Sequence, residues 1–261
     1  MKKRGILGIA AASALLLLTS CLGDSNNEQT LSAIPGVVSV SKDYKTIVET
    51  AAGVNIYSPN LDLAGYTSGD CVLASFTINF DDAQNANAAT NGYYYVALNA
   101  TPEKVDKWYV NPTIGDTTKL MDKEQPVASP IDTRYGGAYL KGILFLYSDF
   151  SFLNKQETRW TLSYDANQVP TTENGKQIYS IFLRASVITE GSAPTKSEVV
   201  VNAFDAKTMI DLFNSQQKSL GNKEYYVTIN YVKEINKDDP TKFTWASTDP
   251  TLMKFTVPTD N

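Results

Sequence analysis

The chain has 261 residues, 23 basic and 28 acidic, and it contains no histidine. The missing histidine excludes a Ser-His-Asp triad, a Cys-His nucleophile pair and any zinc site with histidine ligands. With 43% hydrophobic residues the chain can fill a core, so its length fits one large folded domain or two ordinary ones.

The first twenty residues have the layout of a bacterial export signal. Lys2, Lys3 and Arg4 precede an uncharged, mostly apolar run over residues 5–18. A basic start followed by a short apolar region is typical of a secretory signal. The apolar run is shorter than the roughly 20 residues that a membrane-spanning helix needs, so we predict residues 1–20 to be a signal peptide.

A cysteine follows the apolar run. The segment Leu18-Thr19-Ser20-Cys21 resembles the lipobox of bacterial lipoproteins, in which the signal is cut before the cysteine and the cysteine is acylated. The resemblance makes Cys21 the candidate lipidation site of an exported, Gram-negative outer-membrane lipoprotein, whose exposure on the periplasmic or the outer face stays open. An ordinary signal peptide with an incidental cysteine is the alternative.

The segment after the cysteine is polar, and we predict residues 21–35 to be a lipidated tether. Loss of residues 1–20 removes three basic residues and leaves 20 basic against 28 acidic, a net charge of −8. That charge repels polyanions, so nucleic acid is not an expected partner. Once Cys21 is acylated, Cys71 is the other thiol of the chain, and we expect it to be buried and inert.

Alternation of apolar and polar residues dominates the chain from about Gly36, as in half-buried strands. In a second such run Tyr94 and Val96 share one face, and Tyr93 and Tyr95 the other. Short strands of this kind over residues 36–115 fit a small β-barrel or a sandwich, and the family resemblance described below implies an OB-like β-barrel there. The clearest alternation places five residues on one face: Val72, Ala74, Phe76, Ile78 and Phe80.

The second half is also strand-rich and follows a segment that is rich in proline and glycine. We read residues 116–137 as a junction and residues 138–261 as a second strand-rich domain with one crossover helix, which makes the whole chain all-β; the resemblance described below implies a β-sandwich for this domain. Residues 139–147 are apolar on both faces and predict one covered strand. Asn174-Gly175 predicts a hairpin turn, and Asp205 is expected to cap a helix over residues 206–217.

Tyrosine is the most informative residue type for binding. There are 15 tyrosines against 10 phenylalanines, a bias found in contact surfaces as well as in strands. Tyr93 and Tyr95, which lie opposite the expected core face, are the candidate contacts for a protein or glycan ligand. Packing against the second domain explains them equally well.

Acidic side chains offer two further candidate sites. Asp81 and Asp82 begin an oxygen-rich loop, but Ala83 stands at a ligand position and no glutamate closes it, so we expect a polar loop and no metal or cofactor. A carboxylate-based glycan hydrolase, an alternative function, would use residues such as Asp149, Glu157 and Asp165.

Two segments resemble the NigD-like lipoproteins, in addition to the lipobox. They are Gly69-Asp70-Cys71-Val72-Leu73-Ala74-Ser75-Phe76-Thr77-Ile78 and Tyr139-Leu140-Lys141-Gly142-Ile143-Leu144-Phe145. The resemblance implies an N-terminal OB-type domain, a C-terminal β-sandwich, no established enzymatic activity and a bacteriocin-associated immunity or accessory role. Beyond Cys21 it assigns no functional residue.

These observations favour a non-enzymatic, lipid-anchored envelope protein that binds a ligand through its β surfaces. A structural subunit of a surface assembly such as a fimbria is the alternative, and there Lys42 or Lys45 would be candidate sites of trimming. The sequence carries no signal for the oligomeric state.

Overall fold

A computed structural model describes residues 27–259, which form two compact units that are divided in the sequence between Lys107 and Trp108. The export signal, Cys21 and the first part of the expected tether lie outside the described residues. Within residues 27–259 no helix is both long enough and apolar enough to cross a membrane.

The first unit is a seven-stranded sheet with two short helices. Its strands are β1 (Glu28–Val40), β2 (Thr46–Thr50), β3 (Asn55–Tyr57), β4 (Cys71–Asn79), β5 (Tyr94–Tyr95), β6 (Ala97–Leu98) and β7 (Glu103–Val105). The helices are α1 (Pro59–Leu63) and α2 (Ala88–Asn91), with a 3-10 turn over Ala83–Asn85. The order is β5-β3-β2-β1-β4-β6, and β7 also pairs with β4.

Alternation builds the core of this unit, as the sequence predicts. Every second side chain of β4, from Val72 through Ile78, is fully buried. Val38, Val48 and Ile56 of three neighbouring strands meet this face, and Leu61 of α1 packs into the same core. The core is therefore made by strands that each contribute alternate side chains to it, as the pleat of a sheet requires.

The expected tether is shorter than predicted, because its second half belongs to the sheet. β1 starts at Glu28, which pairs with Asn79 at the end of β4. The register shifts between Leu31 and Ile34, where Ala33 has a φ of 51°. This bulge interrupts the alternation, and for that reason the strand could not be recognised before Gly36.

The second unit contains eleven strands and one long helix. Its strands are β8 (Lys107–Asn111), β9 (Glu124–Gln125), β10 (Gly137–Leu140), β11 (Ile143–Asn154), β12 (Glu157–Tyr164), β13 (Thr171–Glu173), β14 (Lys176–Thr189), β15 (Ser192–Asp205), β16 (Glu224–Ile235), β17 (Phe243–Ser247) and β18 (Lys254–Thr256). The helix α3 spans Lys207–Ser219, and a 3-10 turn spans Pro250–Leu252. The main order is β10-β11-β15-β8-β12-β14-β16-β17.

Two sections of this sheet enclose one core, which confirms the all-β class with a helix in the second half. β11 and β15 contribute side chains to the same cluster as β12, β14 and β16. The helix α3 connects β15 to β16 and buries Phe213, whose ring stacks on that of Tyr179 at 3.9 Å. Asp205 is the last residue of β15, and Ala206 is the N-cap instead.

The proline- and glycine-rich segment is part of the second unit. We expected a junction over residues 116–137 and an OB-like domain up to residue 115, but the division falls after Lys107. Val127 and Ile131 are buried in the core of the second unit, and β9 pairs with β14. The segment contains little regular structure besides β9, yet its apolar side chains pack into the core.

Residues 139–147 form a hairpin and not one strand. β10 and β11 pair with each other, with Leu140 opposite Ile143. Lys141 and Gly142 make the turn, with φ values of 54° and 88°, the left-handed pair that a two-residue hairpin turn needs. The predicted turn at Asn174-Gly175 is confirmed, since Glu173 pairs with Lys176 across it.

Candidate functional site

The outer face of the first sheet carries a cluster of three tyrosines. Alternation along the chain sends Tyr94 to the barrel core, as expected, and sends Tyr93 and Tyr95 to the opposite face. There they meet Tyr57 of β3, which pairs with β5 through the register of Tyr57 with Tyr95. The three ring centroids are 5.1–5.7 Å apart and the rings are tilted or edge-on, which suits aromatic packing. We call these three rings the tyrosine cage.

The ammonium group of Lys45 occupies the tyrosine cage. Its Nζ atom lies 4.8–5.2 Å from all three ring centroids, within the range of a cation–π contact. It also donates hydrogen bonds of 2.7 Å to the hydroxyl oxygens of Tyr93 and Tyr95. Lys45 precedes β2, so the turn between β1 and β2 is fastened to the outer face of the sheet.

The carboxylates of Asp43 and Asp62 complete this network. Asp43 accepts hydrogen bonds from the hydroxyls of Ser41, at 2.6 Å, and Tyr93, at 2.8 Å, and its carboxylate is 3.1 Å from the Lys45 ammonium. These bonds to its ionised form hold the pKa of Asp43 well below its usual range. The hydroxyls of Tyr93 and Tyr95, followed by the Asp43 carboxylate, raise the pKa of Lys45.

Asp62 at the end of α1 anchors the other side of the tyrosine cage. It accepts hydrogen bonds from the Tyr57 hydroxyl, at 2.9 Å, and from the Thr46 amide, at 2.8 Å. Burial, and then the hydrogen bond to Asp62, raise the pKa of Tyr57 to about 12. The network therefore brings together one ammonium, two carboxylates and three phenol hydroxyls, and each of them is hydrogen-bonded within the chain.

The two tyrosines that the sequence singled out are brought together, but their hydroxyls are engaged within the chain. Tyr93 is only 2% exposed, and Tyr95 is half-buried. Their chemistry supports Lys45 and the turn that carries it. Sequence reasoning considered Lys45 only as a site of trimming, and the alternation of residues 93–98 contains no signal for a lysine fifty residues upstream.

The turn that Lys45 fastens presents an exposed aromatic side chain. Tyr44 is 90% exposed, and its φ of 64° places it in the left-handed region that only a few side chains adopt readily. Val40, the last residue of β1, and Leu63, the last residue of α1, are also exposed apolar residues of the first unit. Sequence reasoning did not single out Tyr44.

The loop after β4 has a structural role. The side chain of Asn85 is buried; its amide donates to the carbonyls of Asn79 and Tyr95, and its oxygen accepts from the Tyr95 amide. Asp82 caps the 3-10 turn through the amide of Gln84. No group of three or more acidic or cysteine side chains within residues 27–259 could hold a metal ion.

The three carboxylates considered for hydrolysis have separate partners. Burial and then the negative charge of Asp132 raise the pKa of Asp149 on β11, and Asp132 is itself held by the guanidinium of Arg134. Glu157 accepts from the hydroxyl of Thr189. Asp165 accepts from the amide of Asn167 in a turn.

Of the two cysteines, Cys71 lies within the described residues. Cys71, the first residue of β4, is buried, as expected, and is not in a disulfide. Cys21 lies outside the described residues.

Solved structures with a similar architecture come from species of Parabacteroides and Bacteroides. An uncharacterised protein from Parabacteroides merdae shares 27% identity, with a TM-score of 0.75 over 88% of this chain and 100% of that one. A proposed lipoprotein from Bacteroides fragilis shares 14% identity, with a TM-score of 0.59 over 89% and 100%. A NigD-like immunity protein from Bacteroides caccae is more distant, with 8% identity and a TM-score of 0.46 over 86% and 94%.

The sequence comparisons concern the first unit. No curated protein sequence matches the chain. Residues 26–102 match the family of the lipoprotein OB domain. This range agrees with the first unit, including the part of β1 that precedes Gly36. The first unit is therefore an OB domain of the kind that this lipoprotein family carries.

Proposed function

We propose that the protein is a lipid-anchored protein of the cell envelope that acts by binding a partner through its OB domain and has no enzymatic activity. The match of residues 26–102 to the lipoprotein OB domain supports the class of protein. The observation that carries the binding role is the tyrosine cage, in which Lys45 is held by three rings and two hydroxyls. This network holds the turn that exposes Tyr44, and a rigid aromatic side chain is a common anchor of interfaces.

The length of the tether supports an arrangement in which the OB domain works close to its membrane. Seven peptide steps separate Cys21 from Glu28. An acylated Cys21 would then lie within about 25 Å of the start of β1 in any conformation, since a residue spans at most about 3.6 Å. We propose the outer membrane as that membrane, with several acyl chains as a firm anchor.

The engagement of the candidate carboxylates supports the absence of catalysis. Glu157 accepts from Thr189 and Asp165 from the Asn167 amide, whereas Asp149 lies near Asp132, so the three carboxylates have different neighbours in the second unit. Glycoside hydrolysis needs two carboxyl groups at a fixed separation across one bond. Cleavage of an envelope glycan by the mature chain, lost on Asp149→Asn, would overturn this part of the proposal.

The anchor is tested by Cys21→Ala with Cys71→Ala as the matched control. Both variants lose one thiol, but only the first loses the proposed acylation site. We expect Cys21→Ala to leave the membrane fraction or to accumulate as precursor, and Cys71→Ala to stay processed in the membrane fraction. Mass spectrometry of the mature N-terminus identifies the acylated residue.

Three outcomes of this experiment would contradict the anchor. They are a Cys21→Ala protein that is still processed and in the membrane, an unmodified Cys21 on a secreted chain, and a mature chain that starts after Lys42. The last would support the surface-assembly alternative.

A further inference from the structure

We propose that the exposed turn at Asn174-Gly175 is a site of spontaneous deamidation, in which water converts the asparagine to aspartate and isoaspartate. The chain contains one other Asn-Gly pair, Asn91-Gly92, which the fold protects from the same reaction. The modification is independent of the proposed binding through the OB domain, because Asn174 and Gly175 lie in the second unit.

The reaction uses the backbone of the residue that follows the asparagine. The amide nitrogen of Gly175 loses its proton and attacks the side-chain carbonyl carbon of Asn174, and the side-chain nitrogen leaves as ammonia. The product is a five-membered succinimide ring. Water then opens this ring at one of its two carbonyl carbons, which gives aspartate or isoaspartate. Glycine suits this attack because it has no Cβ atom that would hinder the approach.

The attacking nitrogen is free at Asn174-Gly175. Both residues are exposed, and their φ values of 49° and 76° are those of a two-residue hairpin turn. Glu173 pairs with Lys176 across this turn, so the two turn residues lie outside the ladder of β13 and β14. Within residues 27–259 the Gly175 amide has no hydrogen-bond acceptor, and it can therefore lose its proton to solvent without breaking a contact.

The attacking nitrogen is engaged at Asn91-Gly92. Gly92 follows the helix α2, and its amide donates to the carbonyl of Ala88 at 2.7 Å. Asn91 is the last residue of that helix and is half-buried, and its own amide donates to the carbonyl of Asn87 at 2.9 Å. The Gly92 carbonyl accepts from the side chain of Asn55 at 2.8 Å. The nitrogen of Gly92 can react only after the end of the helix has opened.

Modification of Asn174 should loosen the tip of the β13–β14 hairpin and leave the core unchanged. Isoaspartate adds one atom to the backbone of the turn, whose length sets the pairing of Glu173 with Lys176. Both products also add a negative charge next to Glu173. The buried part of β14 begins at Ile178, so the residues that form the core are not displaced.

The test incubates the full-length chain, purified in detergent, at mildly alkaline pH and follows both Asn-Gly pairs by peptide mass spectrometry. Chromatography against synthetic aspartate and isoaspartate peptides identifies the products. Asn174 should react about three- to tenfold faster than Asn91, because the hydrogen bond of the Gly92 amide reduces its reactive fraction by about that factor. The rate at Asn174 should rise from pH 6 to pH 8, because the attacking nitrogen must lose its proton.

Two controls separate the effect of the fold from that of the sequence. In concentrated urea both Asn-Gly pairs lose their structure, and their rates should become similar. Asn174→Gly leaves a Gly-Gly sequence that suits a two-residue turn but has no amide to react, so it should remove the acidic form that isoelectric focusing detects. In the modified chain the Lys176 amide should exchange about three- to tenfold faster, and the Tyr179 amide should be unchanged.

Three results would overturn the proposal. The first is an equal rate at Asn174 and Asn91 in the folded chain. The second is a difference that persists in urea, because it would then come from the sequence and not from the fold. The third is an Asn174→Gly chain that becomes acidic as fast as the unchanged protein, which would place the modification at another residue.

Discussion

The guanidinium of Arg184 donates two parallel hydrogen bonds to the carboxylate of Glu124, sixty residues earlier in the chain. The pair is buried, with side chains 7% and 0% exposed. The same guanidinium donates to the backbone carbonyls of Asp116 and Lys119 and lies 5.5 Å from the ring centroid of Trp245. One side chain of β14 thus fastens the segment before β9 to the sheet.

Removal of either partner of this pair should strongly destabilise the second unit. Arg184→Met or Glu124→Gln leaves the other charge buried without its counter-charge, at a cost of about 3–5 kcal/mol in the free energy of unfolding. Urea unfolding measures the loss. Asp211→Asn, which breaks an exposed pair with Lys207, should change the unfolding midpoint little. Equal effects of the buried and exposed substitutions would contradict the assigned role.

Gly36→Ala should destabilise the OB domain. A Cβ atom at Gly36 would overlap with Cγ1 of Val48 and lie 3.0 Å from the carbonyl oxygen of Glu49. β1 and β2 must move apart to admit it, and overpacking of this kind costs about 1–3 kcal/mol. Gly115→Ala is the control, because nothing lies nearer than 4.0 Å to its added methyl group. An unchanged denaturation midpoint for Gly36→Ala would show that the strands accommodate the methyl group.

The sequence predicted those elements whose hydrophobic pattern is local and regular. β4 was recognised within one residue at each end, because one of its faces is buried throughout. Elements whose alternation is interrupted, or whose residues are apolar on both faces, were not recognised. The bulge at Ala33 interrupts the alternation of β1, and the apolar residues on both sides of Lys141-Gly142 conceal a hairpin turn inside an apparently continuous strand.

Only part of the candidate site could be predicted from the sequence. Alternation placed Tyr93 and Tyr95 together on the face opposite Tyr94. Lys45 could not be associated with them, because the contact depends on the parallel pairing of β3 with β5. The same limit applies to the residues before β9, since a buried pair between Glu124 and Arg184 leaves no local pattern in the sequence.

Tyr93→Phe should loosen the β1–β2 turn. It removes a hydroxyl that accepts from Lys45 and donates to Asp43, so the amides of Tyr44 and Lys45 should exchange with solvent about three- to tenfold faster. Hydrogen exchange followed by NMR measures this. Tyr94→Phe is the matched control, because the adjacent ring faces the barrel core and does not contact Lys45. The same acceleration in both variants would contradict the bracing role of the tyrosine cage.

Acid should loosen the β1–β2 turn only at very low pH. The lowered pKa of Asp43 means that its contribution to folding is present above the ordinary aspartate value of 3.8 and is lost as the pH falls through its value in the folded chain. Exchange of the Tyr44 amide, corrected for its intrinsic pH dependence, should therefore remain flat from pH 7 to pH 4. A marked loss of protection within that interval would show that Asp43 is not held by Ser41, Tyr93 and Lys45.

Asp149→Asn should stabilise the second unit at neutral pH. Burial, followed by the negative charge of Asp132, raises the pKa of Asp149 in the folded chain, against the smaller effect of Arg134. A carboxyl with a raised pKa stabilises the folded state when protonated, and this contribution is lost as the pH rises through its folded-state value. The raised pKa of Asp149 therefore lowers the stability of the folded state at pH 7, whereas asparagine carries no charge that Asp132 could repel.

The gain in unfolding temperature of Asp149→Asn over the unchanged protein should decrease as the pH falls. It should vanish below about 3.8, the ordinary pKa of aspartate, because the carboxyl of Asp149 is then protonated in the folded and the unfolded chain. Thermal unfolding of both proteins from pH 7 to pH 3.5 measures this. Asp165→Asn is the control, since its side chain accepts from the Asn167 amide and asparagine can do the same. A lower unfolding temperature for Asp149→Asn at pH 7 would mean that the ionised Asp149 is stabilised by Arg134 more than it is opposed by burial and Asp132.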